Sequence, residues 1–169
     1  ISIGNSIFLK KKIIKDEILY YRIYENQQIL TDLLGYKIHI FNEVVYIFNI
    51  HPLPERFNKI LEIKEDKNFL DYIFEIINND YNLEKLNIII MGDYNSDTWE
   101  EYKKYKMTNI ADYLENTDIT SWNNKKIDNI CVSKFFMKNF NIINYQVLPL
   151  TFSDHFPIVF DFNLKQINN

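Results

Sequence analysis

Glycine and proline are scarce in this chain, three and four among 169 residues. With so few breakers, no Ser- or Gly-rich run and no internal repeat, there is no visible linker, and residues 1–169 read as a single domain. One cysteine, Cys131, excludes an internal disulfide; it lies in an apolar, strand-like run and reads as a buried structural thiol. No apolar run approaches the ~20 residues of a membrane span, and the first residues lack the pattern of a signal peptide, so a soluble chain is expected. The sequence names no compartment and no oligomeric state. It begins at Ile1 rather than Met, as expected of a processed product or a piece of a longer one. Arginine is nearly absent, Lys outnumbering Arg 17 to 2 in a composition skewed toward residues with A/T-rich codons. The net charge of -4 excludes a broadly basic nucleic-acid coat, although a local positive patch can still attract a phosphate.

Apolar residues are what the chain has in quantity: 47% hydrophobic and 16% aromatic, ample for a core at this length. Ser6 to Leu9 and Glu17 to Tyr24 read as short strands around a solvated turn at Lys10 to Lys12. Tyr36 to Phe41 and Val44 to Ile50 predict a hairpin turning at Asn42 and Glu43, with His39 structural in its first strand and Pro52 stopping its second. From Glu55 to Asn79 apolar residues recur at three and four, which predicts one helix or two, split at the charged interval Lys64 to Lys67. Asn87 to Met91 predicts a strand buried on both faces, because four successive apolar residues do not alternate. Thr98-Trp99-Glu100-Glu101 has the capping-box pattern and predicts a helix carrying Lys103, Lys104 and Lys106, with a short helix near Asn109 to Leu114 after it. Lys126 to Val132, Ile142 to Leu148 and Pro157 to Phe162 read as closing strands. Strands with inserted helices and an all-strand C-terminus predict an α/β sandwich of two sheets.

Four polar clusters border these apolar runs: Asn49-Ile50-His51, Gly92-Asp93-Tyr94-Asn95, Lys126-Ile127-Asp128-Asn129-Ile130 and Ser153-Asp154-His155-Phe156-Pro157. Gly92 permits a turn that other residues resist. Asp93 and Asn95, two apart, can present a carboxylate and an amide to one ligand. Taken singly, each cluster reads equally well as a loop, since Asp and Asn are turn formers in their own right.

Together, and in this order, the clusters resemble the DNase I-like endonuclease/exonuclease/phosphatase superfamily. Its members show an Asn-x-His strand end, a Gly-Asp-x-Asn segment, an Ile-Asp-Tyr-Ile-like strand and a final Ser-Asp-His followed by Pro. The resemblance covers roughly Gly4 to Phe162. It implies a four-layer α/β sandwich of two sheets flanked by helices, and attack of water on a phosphate ester assisted by Mg2+, with Mn2+ as the other candidate. It also implies a role for each residue. Asp93 would orient or deprotonate the water, Asn95 would help hold water and phosphate, and His155 would donate to a non-bridging oxygen. Asp128 would fix the tautomer of His155 and favour its imidazolium. Asp154 would lie at the metal, and His51 would contact the phosphate from the opposite side, with Asn49 supporting that strand end.

The chain departs from the family pattern at Asn129, in the tyrosine place, and at Lys126, in place of the usual Arg. The family's strand ending in Asn and its strand ending in Glu, the principal metal ligand, are not found. Gly4-Asn5-Ser6-Ile7-Phe8-Leu9 echoes the segment that follows that Glu, and Glu17 and Glu25 fall too late to replace it. The sandwich is therefore expected to be incomplete at its N-terminus, and its magnesium site weak. The resemblance admits nucleic acid, a phospholipid or an inositol phosphate as substrate. Lys103, Lys104 and Lys106 with Lys125 and Lys126 read either as a basic rim or as ordinary surface lysines. The other function consistent with these residues is an inactive remnant of the fold that binds phosphate groups or a protein partner.

Overall fold

The computed structural model describes residues 14–25, 28–40, 42–52, 54, 69–97, 100–149 and 153–166. The predicted strand at Ser6 to Leu9, the turn at Lys10 to Lys12, the helical turns before Phe69, and Thr98 and Trp99 lie outside the described residues. Strands β1 (Ile14–Glu25), β2 (Gln28–Ile40), β3 (Glu43–Ile50), β4 (Asn87–Asp93), β5 (Met107–Asn109) and β6 (Asp128–Ser133) form one sheet in the order β1-β2-β3-β4-β6-β5. A second sheet pairs β7 (Phe140–Val147) with β8 (Ile158–Leu164). Within the large sheet β3 and β4 are parallel and the other pairs antiparallel. Parallel neighbours need a crossover, and α1 (Phe69–Tyr81) lies in it.

β4 is covered on both faces, as its unbroken apolar run predicts. Ile88 and Ile90 pack with Phe48 and Ile50 against Ile73, Phe74 and Ile77 of α1. Ile89 joins Val45, Ile47, Ile130 and Val132 in a second core against Phe140, Tyr145 and Val147 of the small sheet. Burying each such side chain contributes roughly 1.5–3 kcal/mol. Cys131 sits fully buried in the first core, and burial pushes its thiol up to about 12. Such a thiol is inert at neutral pH. No described helix is long and apolar enough to cross a membrane.

Several elements differ from their predicted form. The β2–β3 turn falls one residue earlier, since Ile40 already pairs with Glu43. β2 begins at Gln28, eight residues before its predicted start at Tyr36, because its N-terminal half pairs with β1 rather than with β3. The helix expected after Thr98 is a single 3-10 turn, Glu101–Lys103. Lys106 adopts φ 55, a left-handed conformation that no helix continues through, and the chain passes into β5. The short helix near Asn109 is present as α2 (Ile110–Tyr113), capped by the Asn109 side chain. α3 (Lys134–Asn139) was not expected; the buried Ser133 caps it, accepting from Phe136 N–H while donating to the Leu86 carbonyl at 2.6 Å.

Candidate functional site

Strand direction brings the polar clusters together. β3 and β4 run parallel and β6 runs back, so the ends of the first two meet the start of the third at one edge. Ile50 lies opposite Gly92, and Asp93 opposite Asp128. Gly92 makes that approach sterically admissible: with φ 137, a Cβ there would lie 2.0 Å from the Ile50 carbonyl oxygen and 2.9 Å from Asn49 Oδ1.

Past Gly92 the chain turns sharply. Asn95 takes φ 52, its backbone N–H donates to Asp93 Oδ1 at 2.7 Å, and its side-chain amide donates to the Pro52 carbonyl at 2.9 Å. The local turn chemistry of Asp and Asn thus builds the site instead of competing with it. Between them, buried Tyr94 donates its N–H to the Ile127 carbonyl at 2.7 Å, tying the end of β4 to the start of β6.

His155 arrives from the loop before β8. That loop is stitched to the one before β6: Phe156 N–H donates to the Thr120 carbonyl at 2.8 Å and Trp122 N–H to the Asp154 carbonyl at 2.9 Å. Ser153 Oγ accepts the backbone N–H of His155. Asp128 is fixed in turn by Thr120, whose Oγ1 accepts the backbone N–H groups of Ile127 and Asp128 at 3.0 and 2.9 Å.

The side chains then form a continuous array. His155 Nδ1 lies 2.9 Å from Asp128 Oδ2 and 3.1 Å from Oδ1. On the far side of the ring His155 Nε2 lies 3.8 Å from Asp93 Oδ2, and His51 Nε2 lies 3.3 Å from that same oxygen. Burial alone lowers the His155 pKa, but the hydrogen bond and charge of Asp128, with the fields of Asp93 and Asp154, outweigh it and raise the imidazole above its ordinary 6.5. Burial raises the Asp128 carboxyl above 3.8, against opposing bonds from His155 and Thr120. The rise at Asp128 comes from desolvation, and an imidazolium paired with a carboxylate is the state that the contacts favour. Alongside runs a cleft of about 690 Å³, lined by Asn49, Asp128, His155 and the apolar Met91, Ile130 and Phe156 among others.

No family model and no curated protein matches the sequence. Solved structures do match. The human Nocturnin catalytic domain with bound sulfate aligns over 94% of this chain and 62% of its own, with TM-score 0.61 and 18% identity. An endonuclease/exonuclease/phosphatase family protein from Leptotrichia buccalis aligns over 90% of this chain and 61% of its own, with TM-score 0.62 and 17% identity. D. rerio TDP2 complexed with single-strand DNA product aligns over 89% and 68%, with TM-score 0.63 and 14% identity. The chain has the DNase I-like fold. It spans 61% to 68% of the length of these three structures.

Within this DNase I-like fold His51, Asp93, Asn95, Asp128 and His155 converge, and Asn49 lines the cleft with Asp128 and His155. Asp154 stands apart, exposed on the rim, where its charge still reaches His155. Sequence reasoning overlooked Thr120 and the Pro52 carbonyl. Neither belongs to an apolar run, and only the fold brings them to Asp128 and Asn95. Asn129, in the family's tyrosine place, is buried and accepts from Asn109 at 2.9 Å, which locks β6 to the cap of α2.

Asp93, Asp128 and His155 present ligand atoms within 4.8 Å of one another and could hold a metal ion. Magnesium fits them poorly. It asks for near-octahedral oxygen donors, whereas one of the three donors is an imidazole poised to carry a proton, and both carboxylates are already hydrogen-bonded.

Proposed function

We propose that this site binds a phosphate ester between His51 and His155 and hydrolyses it with a water held by Asp93. The observation that carries the reading is Asp93 Oδ2 standing between the two imidazoles while Asp128 holds the outer nitrogen of His155. A phosphodiester repels hydroxide, so hydrolysis needs its charge neutralised and a base beside the attacking water. Imidazolium at His155 meets the first need and the Asp93 carboxylate the second. The new bond to phosphorus forms from the water oxygen, whose proton passes to Asp93, and the bond to the leaving oxygen breaks as that oxygen takes a proton from solvent. Asn95, bonded to the carbonyl next to His51, keeps the His51 loop against Asp93. A nucleic acid, a phospholipid or an inositol phosphate each supplies such an ester. TDP2 complexed with single-strand DNA product and Nocturnin with bound sulfate show comparable anions held on this fold.

The role of Asp128 is tested by its asparagine variant. A group whose folded pKa is raised stays protonated up to that raised value, so imidazolium-dependent turnover persists above 6.5 and falls as pH climbs through the raised pKa. Asp128→Asn keeps a hydrogen-bond acceptor and removes the charge. The basic limb of the kcat/KM profile is expected to move to lower pH, and activity at neutral pH to fall about 10²-fold. An unmoved limb would contradict the assigned role.

The metal donor set favours a second reading, in which the cleft binds phosphate groups or a protein partner without turnover. Brisk cleavage of a generic phosphodiester, with or without added magnesium or manganese and abolished by His155→Ala, excludes that reading. Retained phosphate binding with no cleavage under either ion supports it.

A further inference from the structure

The stretch from Tyr94 to Ile127, which carries both loops at the mouth, holds five lysines against six carboxylates. Four of those lysines are already ion-paired. Lys125 Nζ lies 3.7 Å from Asp97, Lys126 Nζ 3.0 Å from Asp112, and Lys103 Nζ 2.7 Å from Glu100. Lys106 is bonded to Glu84 at 2.6 Å, before the start of β4 and therefore at the end of the sheet away from the site. Lys104 lies over the Tyr105 ring at 5.3 Å. Four of the five lysines of the rim that the sequence allows are thus paired with carboxylates of the chain itself, and exposed Asp154 adds a negative charge beside His155.

Proteins that grip nucleic acid do so chiefly through cations that face successive phosphates and displace their counterions. A lysine with a carboxylate within 4 Å contributes little to that field, and Asp97, Asp112 and Asp154 among the described residues repel each phosphate beyond the one at the histidines. Building on the phosphate-ester reading above, we propose that the described mouth selects an ester carrying a single phosphate and rejects nucleic acid.

Asp97 and Asp112 hold Lys125 and Lys126 without touching the histidines, so freeing those lysines tests the proposal by gain of function. Binding of a labelled single-stranded oligonucleotide and turnover of a small aryl phosphodiester are measured for the wild type and for Asp97→Asn/Asp112→Asn, at ~50 and ~200 mM salt. The wild type should turn over the small ester and bind the oligonucleotide no tighter than about 10⁻⁴ M, with little salt dependence. The double variant should bind the oligonucleotide about tenfold tighter at low salt, lose that gain at high salt, and keep its small-ester kcat/KM within about twofold. Asp97→Asn alone, on an exposed loop, gives the same direction should the double variant fold poorly. Micromolar, steeply salt-dependent oligonucleotide binding by the wild type, or no gain in either variant, overturns the proposal and leaves the phosphoesterase reading intact. Absence of both turnover and phosphate binding removes that reading, and the proposal with it.

Discussion

Asp93→Ala is expected to lower kcat/KM for a phosphodiester by about 10³-fold or more. The Asp93 carboxylate touches both imidazoles through one oxygen, is only 15% exposed, and is the base best placed for a water lying between them. Alanine also removes the acceptor for the Asn95 backbone N–H, so part of its effect would come from a loosened turn. Asp93→Asn separates the two contributions, because an amide oxygen still accepts that N–H but cannot take a proton. Both variants should lose activity alike, and asparagine should melt close to the wild type. An Asp93→Asn protein with more than about a tenth of wild-type kcat/KM would remove Asp93 from the role of base.

Gly92→Ala should be the most destabilising single change at the site. Two penalties coincide there: a backbone φ of 137 that side chains resist, and a Cβ placed 2.0 Å from the carbonyl oxygen of Ile50. Strained backbone costs about 1–3 kcal/mol, and forced overlap costs a similar amount. A loss of about 3 kcal/mol or more lowers Tm by roughly 10 °C in a chain of this size. Gly35→Ala is the contrast: its Cβ would meet Phe48 Cδ1 at 2.6 Å and the Ile47 carbonyl oxygen only at 3.2 Å, and its φ is not in the left-handed region. The Gly35 variant should melt nearer the wild type. Equal melting temperatures for Gly92→Ala and the wild type, followed by circular dichroism, would show that the ends of β3 and β4 are not held as closely as described.

Much of the site was legible because its parts lie at the ends of apolar runs. Ile88, Ile89 and Ile90 announce a strand covered on both faces, and whatever follows such a strand emerges at an edge of the sheet. That Asp93, Asp128 and His155 would be neighbours, although 27 residues separate the last two, followed from the resemblance of the four clusters in order to one superfamily. The less legible parts depend on contacts that a linear pattern does not record. Thr120 serves Asp128 through its hydroxyl from within a loop, and Asn95 donates its amide to the Pro52 carbonyl. The capping box before Tyr102 suggested a helix, yet Tyr102 and Met107 are buried and Lys106 turns left-handed between them, so packing overrides local propensity. The lysines illustrate the same limit: adjacent in sequence to the site, they are turned to carboxylates that only the fold supplies.

The central claim, that strand ends from both sheets make one phosphate site, is tested most directly by the three histidines as NMR reporters. Inorganic phosphate is titrated while the imidazole nitrogens are followed. His51 and His155 should shift together along one binding curve, while His39, paired with Val44 at the opposite end of β3 from His51, stays unmoved. His155 should also titrate above 6.5 in the free protein, as its bond to Asp128 requires. Separate curves for His51 and His155, or equal shifts at all three rings, would contradict a single site between the sheets.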